Sequence, residues 1–323
     1  MKRVGKLEGA YQVVVEEAPV PEIRETEVLI RAERTLISRG SEIWRRYIRP
    51  EAIDHQMMGY SMVGTIVQVG SQVKELSMGE RVAALAPHAQ YVAVEVVNAR
   101  NQPPVVSLPD SISSEAATFW PLATSSVLWM QQVEAQEGDT MVILGQGLVG
   151  SGCMQAAKAD GPARVIGVDG LPLRCELAKK LGADEVVDLS KEDPVEAVNR
   201  LTDGRGAEIV IEAVGGRAGA RAFEQAQDMC GRGGLIQVIG LYEDEPLPLD
   251  SGKIQGKRLI GGYLDRGKRP EGSDRALQLM ADGKIRPEEM ITHRFPFEDA
   301  PEAFDLLYNR LGETMGVVLV WKD

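Results

Sequence analysis

Alternating apolar and polar residues dominate the first third of the chain. The stretch "EVLIRAERTLIS" places Val28, Ile30 and Ala32 on one face with a period of two. Three more apolar stretches follow, "VGTIVQVG", "ERVAALA" and "QYVAVEVV", and turn-like segments such as "SQVKELSMG" and "PHA" separate them. This pattern predicts short antiparallel strands in a barrel-like domain.

The pattern changes near Thr140, where apolar runs begin to alternate with helical segments. In order, the predicted elements are "MVILG", a helix near 149–159, "ARVIGVD", a helix over 172–181, "EVVDL", the helix "PVEAVNRL", "EIVIEAV", a helix over 218–229, "LIQVIG" and "RLIGGYL". Such alternation predicts parallel strand pairing in a doubly wound α/β sheet. Helices near 273–282 and 299–309 and a terminal strand, "GVVLVW", complete the prediction.

A glycine-rich turn, "VILGQGLVGS", joins the first of these strands to its helix. Gly145, Gly147 and Gly150 have the Gly-x-Gly-x-x-Gly spacing, and Asp169 ends the next strand about 20 residues later. In a dinucleotide site these glycines make the turn, admit the pyrophosphate and let helix and strand pack closely. Free N–H groups of the helix start, here at Leu148 and Val149, would face the phosphates. The alternative is a plain strand-to-helix turn, but the complete unit favours a dinucleotide.

The identity of the dinucleotide follows from Asp169. A carboxylate at this position accepts hydrogen bonds from the ribose hydroxyls and repels a 2′-phosphate. The sequence therefore predicts NAD as the cofactor.

Several motifs occur in a family order that spans essentially the whole chain. They are "GYSMVGTIVQVGSQVKELSMGERV" at 59–82, "PLATSSVLW" at 121–129, "GQGLVG", "EAVGG" and "HRFPFEDAPEAFDLL" at 293–307. Together they resemble the medium-chain dehydrogenase/reductase superfamily, in its alcohol dehydrogenase and quinone oxidoreductase group. The resemblance implies a GroES-like β-barrel catalytic domain, formed by residues 1–121 and 265–323, and a Rossmann domain over residues 122–264. It also implies an active site in the cleft between them and a homodimer formed through "RLIGGYL".

The resemblance also assigns further cofactor contacts. Thr124 matches a residue on the nicotinamide side, and Arg174 would flank the adenine, although a solvated helix position is the alternative for Arg174. Four residues close strands at the carboxyl edge of the sheet, where doubly wound folds bind ligands: Val214, Gly215, Ile239 and Gly240.

The zinc ligands of zinc-dependent members are missing. Those members use a Cys near the first glycine-rich loop, a His in a Gly-His-Glu triplet, and a third Cys or carboxylate. The corresponding segments here are Ser38-Arg39-Gly40-Ser41-Glu42, Gly59-Tyr60-Ser61 and the vicinity of Trp120-Pro121. Hydroxyls, a guanidinium and an indole do not replace thiolate and imidazole around zinc. We therefore expect no metal, and expect the three cysteines, at 153, 175 and 230, to be small buried residues.

Without zinc, other groups must polarise a carbonyl and move a proton. Tyr60 and His88 are the candidate neutral donors, and Glu42 and Ser41 the candidate relay or orienting partners. For three of these residues an alternative stays open. Glu42 could serve its own loop, Tyr60 could pack over a wall of the cleft, and His88 could lie outside the site.

Composition restricts the partners. The 323 residues exceed the usual size of one core, which predicts two domains. A net charge of −12 argues against nucleic acid and anionic membrane surfaces. Glu8, Glu16 and Glu17 interrupt any apolar run at the N-terminus, which therefore does not match a signal peptide. No apolar stretch is long enough to span a bilayer, and three cysteines without a paired spacing favour a reducing cytoplasm.

The predicted function is a zinc-independent, NAD-dependent oxidoreductase. It would move hydride between nicotinamide and the alcohol or carbonyl carbon of a polar, polyol- or sugar-like small molecule. Two alternatives remain at this point: an NADPH-dependent enoyl or quinone reductase, and a dinucleotide-binding protein without catalysis.

Overall fold

The computed structural model describes residues 1–99, 103–161, 164–241 and 246–321. The chain divides into two compact units. Unit 1 comprises Met1–Pro121, Arg266–Ala281 and Arg286–Asp323, and unit 2 comprises Leu122–Asp265 and Asp282–Ile285.

The secondary structure is mixed. The strands are β1 Lys2–Lys6, β2 Val13–Glu17, β3 Glu27–Leu36, β4 Met62–Val69, β5 Arg81–Ala84, β6 Tyr91–Glu95, β7 Val105–Ser107, β8 Thr140–Leu144, β9 Arg164–Asp169, β10 Glu185–Asp188, β11 Ala207–Glu212, β12 Cys230–Val238, β13 Arg258–Gly261, β14 Ile291–Pro296 and β15 Gly316–Val320. The α-helices are α1 Ser114–Ala117, α2 Trp120–Val133, α3 Leu148–Asp160, α4 Pro172–Leu181, α5 Pro194–Leu201, α6 Gly216–Met229, α7 Arg269–Ala281 and α8 Ala300–Asn309. A π-helical segment spans Arg39–Tyr47, and short 3₁₀ turns span His55–Met57, Arg266–Lys268, Pro287–Met290 and Phe297–Asp299.

Unit 1 is built on a mixed sheet in the order β14-β15-β3-β4-β5-β7, with β6 paired to β3. The β14–β15 pair is parallel, and the other pairs in this sheet are antiparallel. Val28, Ile30 and Ala32 of β3 are buried, as their alternation predicts, in a core that includes Phe304 and Leu307 of α8. The long strand β3 thereby anchors the segments that follow it, including the π-helical segment.

Unit 2 contains a six-stranded parallel sheet in the order β10-β9-β8-β11-β12-β13. Numbered from β8, this is the 3-2-1-4-5-6 order of a Rossmann sheet. Helix α4 has Pro172 in its first turn and ends at Gly182, whose φ is 110°. The predicted alternation of strands and helices is confirmed.

Several elements were not predicted, among them β1, β2, β7, β14 and α1, and two of them show why: helix α2 and the π-helical segment. Helix α2 carries buried apolar residues without a clean amphipathic stripe, so its periodicity does not mark it as a helix. The π-helical segment lies in a stretch treated as a loop, and the Ile48 N–H donates to the Ile43 carbonyl at 3.2 Å, the i→i+5 pattern of such segments.

All three cysteines lie buried in unit 2. Burial raises the pKa of the Cys153 thiol to about 12 and the pKa values of Cys175 and Cys230 to about 11. They are therefore protonated at neutral pH. Within the described ranges, none of the helices combines the length and apolar character that a membrane crossing requires.

Candidate functional site

The glycine turn, Gly145–Gly150, is shaped by its backbone. Gly145 has a φ of 88°, and its N–H donates to the Val168 carbonyl at 2.8 Å. A Cβ atom at Gly150 would lie 1.7 Å from the Gly145 carbonyl oxygen, so only glycine lets α3 start this close to β8. Gly147 is the N-cap of α3 and provides no side-chain cap. The amides at the start of α3, at Leu148 and Val149, are therefore suited to an anion.

Asp169 holds the same turn from the end of β9. Its Oδ2 accepts the Gln146 N–H at 2.7 Å, and its Oδ1 accepts the Leu171 N–H at 3.0 Å. The side chain of Arg174 in α4 comes within 3.6 Å of Oδ2. The buried carboxylate thus supports the turn directly, in addition to the ribose contact predicted from sequence.

Arg174 lies over the turn rather than out in solvent. A Cβ atom at Gly147 would be 3.8 Å from Arg174 Nη1, and the buried Arg174 Nε finds no hydrogen-bond partner in the described ranges. The guanidinium therefore stands beside the point where the backbone is open to a dinucleotide.

The carboxyl ends of β8, β11 and β12 converge on this turn. The Ala213 N–H donates to the Leu144 carbonyl at 2.9 Å, and a Cβ at Gly145 would lie 3.0 Å from Val214 N. A Cβ at Gly215 would lie 2.9 Å from Leu241 N, directly after Ile239 and Gly240. The predicted edge residues are thus brought together in unit 2.

Glu212, which the sequence did not single out, organises that edge. Its Oε1 accepts the N–H groups of Val214 at 2.8 Å and Gly215 at 3.3 Å. Its backbone carbonyl accepts those of Ile239 at 2.8 Å and Gly240 at 3.0 Å. The sequence signal for Glu212 was an acidic residue in "EAVGG", at the end of an apolar strand.

Thr124, the predicted contact on the nicotinamide side, lies in α2 and is buried.

A second group of polar residues, the Tyr60 cluster, lies in unit 1: Ser38, Ser41, Glu42, Tyr60 and His88. Glu42 and His88 are fully buried, and His88 Nε2 lies 2.8 Å from Glu42 Oε2. Glu42 Oε1 accepts the Ser38 N–H at 2.8 Å, while His88 Nδ1 has no hydrogen-bond partner within the described part of the chain. The pair therefore holds the backbone at Ser38, where the π-helical segment begins.

Tyr60 stands at the outer side of the cluster and is half-buried. Its hydroxyl donates to Ser38 Oγ at 2.8 Å. Burial raises the pKa of Tyr60 above its ordinary value of 10.0, and the charge of Glu42 adds to this. Hydrogen bonds with Ser38 and Ser41 and the charge of Arg46 act in the opposite direction but leave the pKa raised. The phenol is therefore protonated at neutral pH and can donate.

Other residues flagged in the sequence have structural partners. Arg39 stacks over the Trp44 ring at 5.4 Å. Ser61 donates to the Thr118 carbonyl, and Trp120 Nε1 donates to Ser273 Oγ at 2.8 Å. These three belong to the segments that the sequence resemblance matches to the zinc ligands of zinc-dependent members.

The residues present do not fit a catalytic zinc ion. Glu42 and His88 supply one carboxylate and one imidazole, but they bond to each other. Tetrahedral zinc needs at least three protein ligands, and the described residues contain no group of three or more His, Cys, Asp or Glu placed to hold a metal. The donor set at this position consists mainly of hydroxyl groups.

Known proteins similar to this chain are dehydrogenases. Residues 149–282 match the family model described as zinc-binding dehydrogenase. Those residues exclude the loops at 38–42 and 59–61. D-arabitol-phosphate dehydrogenase of Enterococcus avium is 31% identical over 94% of this chain and 94% of its own length.

Two further relatives extend over nearly the whole chain. Sorbitol dehydrogenase of Bacillus subtilis is 26% identical over 97% of this chain and 95% of its own length. The solved structure of alcohol dehydrogenase TADH from Thermus sp. ATN1 matches with a TM-score of 0.83, 25% identity and 99% coverage of both chains. The predicted combination of a GroES-like and a Rossmann domain is confirmed as the fold class.

Proposed function

The chain belongs to the medium-chain, zinc-type alcohol dehydrogenase superfamily and is an NAD(P)-binding oxidoreductase, and from this premise we propose that it oxidises a polyol- or sugar-like alcohol, or reduces the matching carbonyl, without zinc. The observation that carries the proposal is the Tyr60 cluster. A phenol, two serine hydroxyls and a buried carboxylate–imidazole pair occupy the region where zinc-dependent relatives are expected to hold their metal.

The nicotinamide, when bound, supplies or accepts the hydride. The chain must then stabilise the substrate oxygen and move its proton. In carbonyl reduction the protonated Tyr60 gives its proton to the developing alkoxide, and the Ser38 hydroxyl, which accepts the Tyr60 hydrogen bond in the resting site, is placed to pass a proton from solvent back to the phenolate. Ser41 interacts with the same phenol and serves as an orienting partner.

Glu42 and His88 act behind this donor. Both are fully buried, so we assign them the positioning of the Ser38 backbone rather than direct contact with the substrate. This narrows the sequence-based hypothesis, in which His88 was a candidate donor beside Tyr60.

A preference for NAD over NADP follows from Asp169. Its buried carboxylate lies beside the glycine turn and disfavours a 2′-phosphate. Arg174, 3.6 Å away, reduces this repulsion without removing the carboxylate.

The exposed edge of the unit 2 sheet supports the predicted homodimer. Strand β13 is the last strand of the sheet, and Leu259 and the nearby Tyr263 are 42% and 72% exposed. Pairing this edge with its twofold mate would satisfy its backbone groups. Light scattering after size-exclusion chromatography tests the dimer. A cytoplasmic location stays a prediction.

A substrate screen combined with metal analysis tests the proposed function. Purified enzyme is assayed with NAD⁺ against a panel of polyols and sugars, and with NADH and NADPH against enones. We expect polyol oxidation by protein that contains far less than one zinc per chain, with activity unchanged by a chelator. Stoichiometric zinc whose removal abolishes turnover would contradict zinc independence, and turnover of enones alone would favour the enoyl or quinone reductase.

A further inference from the structure

Arg46, in the π-helical segment, has no hydrogen-bond or ion-pair partner among the described residues. Its neighbour Arg45 is exposed, and Arg39 stacks on Trp44. Arg46 is half-buried, and its Nη1 atom is buried without a hydrogen-bond partner. Across the parts of the chain that the structure describes, its side chain forms neither a hydrogen bond nor an ion pair.

The position of Arg46 relates it to the Tyr60 cluster. In a π-helical segment, where bonds run from i to i+5, Arg46 follows Ser41 and Glu42 by about one turn. Its charge lowers the pKa of Tyr60, against the larger effect of burial, which places the guanidinium within electrostatic reach of the phenol. The nearest acid in sequence, Glu42, is already bonded to His88 and to the Ser38 amide.

The Arg46 Nη1 atom differs in its binding capacity from the unpaired Nε atom of Arg174. Arg174 also has a buried nitrogen without a partner, but that atom is the single Nε–H, and its guanidinium faces Asp169. Nη1 of Arg46 belongs to the forked end of the guanidinium, which binds carboxylates and phosphates through paired N–H groups. A charged donor that is buried without an acceptor is destabilising, and a bound oxyanion would supply the missing acceptors.

We propose that the polyol substrate of this enzyme carries an oxyanion, either a phosphate ester or a carboxylate, and that Arg46 binds this group while the reacting hydroxyl lies at Tyr60. The proposal rests on the proposed function for the identity of the reacting group, and on Arg46 for the charge. Arg46 is then a specificity-determining residue, since it recognises a part of the substrate that does not react.

Three matched compounds test the charge requirement: sorbitol, sorbitol phosphate and gluconate. We would measure kcat and KM with NAD⁺ for the wild type, Arg46→Met, Arg46→Lys and the matched control Arg45→Met. The ratio of kcat/KM for an anionic compound to that for sorbitol isolates the contact with the anion. Any effect of Arg46 on the ionisation of Tyr60 acts on all three compounds and cancels in this ratio.

We expect one anionic compound to be preferred over sorbitol by the wild type. Arg46→Met should lower that preference roughly tenfold to a hundredfold, the range for a lost hydrogen bond to a charged group, mainly through KM. Arg46→Lys should restore part of it, and Arg45→Met should leave it unchanged. Preference for sorbitol phosphate identifies a phosphate site, and preference for gluconate identifies a carboxylate site. An unchanged ratio in Arg46→Met would overturn the proposal.

Calorimetric binding keeps the test independent of turnover. The same compounds are titrated into wild type and Arg46→Met loaded with NADH. If no polyol is oxidised but an anionic compound binds and depends on Arg46, the proposed function fails and the anion site stands. If neutral sorbitol is oxidised, but the wild type binds the anionic compounds no better than Arg46→Met does, the proposed function stands and the anion site fails.

Discussion

The glycine turn of unit 2 and the Tyr60 cluster of unit 1 are built in different ways. The turn is a continuous segment of six residues whose backbone provides the site, and the side chain of Asp169 holds it. The Tyr60 cluster joins three segments, around residues 38–42, 60 and 88, and is built from side chains.

This difference explains which site could be recognised from the sequence alone. A backbone site imposes local requirements, such as a glycine where any Cβ would collide, and these leave a short readable motif. A side-chain site imposes requirements on distant positions that only the fold brings together. A site of the second kind therefore leaves no short motif, and its chemistry has to be read from the folded structure.

The largest expected effect concerns the buried pair of the Tyr60 cluster. Glu42→Ala leaves His88 and the Ser38 amide without their acceptor, and we expect it to lower the free energy of unfolding by about 3–5 kcal/mol. Glu42→Gln retains an acceptor for the amide and is the matched control, with a smaller loss. Urea denaturation measures both. Equal stability of Glu42→Ala and wild type would show that side-chain contacts do not hold this site.

The glycine turn offers the corresponding backbone test. Gly150→Ala would place a Cβ 1.7 Å from the Gly145 carbonyl oxygen, so we expect a loss of about 3 kcal/mol or more in unfolding free energy.

Gly147→Ala is the control, since the nearest atom to its new Cβ is 3.8 Å away. It should fold normally but bind NADH more weakly, as measured by fluorescence titration, because the methyl group occupies the approach of the pyrophosphate. Identical behaviour of the two variants would remove the distinction between a packing glycine and a binding glycine.

Tyr60→Phe tests the chemistry of the cluster without disturbing its packing. We expect kcat on a polyol to fall about 10²-fold, the lower range for losing general acid–base help, with NADH affinity nearly unchanged. Because the pKa of Tyr60 is raised above 10.0, ionisation of this phenol should not lower wild-type carbonyl reduction below pH 10.

His88→Ala, the second variant, should lower kcat together with stability, since His88 lies behind the donor. Full kcat in Tyr60→Phe would remove the phenol from the mechanism.

The smallest effect concerns the cofactor. Asp169 should make NADH bind at least about tenfold better than NADPH, a difference of roughly 1.4 kcal/mol. Asp169→Ser combined with Gly170→Arg should shift the preference towards NADPH, and a Cβ at Gly170 would make only ordinary van der Waals contact with Leu189, at 3.5 Å from its Cβ.

The matched control is Asp169→Ser alone, since the lost hydrogen bond to the Gln146 amide could weaken both cofactors equally. Equal affinity of the wild type for both cofactors would contradict the role assigned to the carboxylate.

Much of the fold followed from sequence patterns. The strand–helix alternation of unit 2 was predicted because each strand is apolar and each helix has clear ends, such as Pro172 and Gly182. Helix α2 was missed because its apolar residues form no clean amphipathic stripe, and the π-helical segment was missed because a short stretch with Gly40 near its start was treated as a loop. Arg46 was missed for a different reason. Its significance depends on the lack of a hydrogen-bond partner among the described residues, and no local sequence pattern encodes that.

The buried cysteines allow the opening of unit 2 to be followed by its rate of thiol labelling. All three lie in unit 2, and their raised pKa values keep them as unreactive thiols while the unit is closed. A thiol reagent can modify them only when unit 2 opens, so the labelling rate reports the opening of this unit alone. A dinucleotide that binds the closed unit should slow that rate in proportion to its occupancy. The opening of half the molecule can thus be timed without introducing a probe.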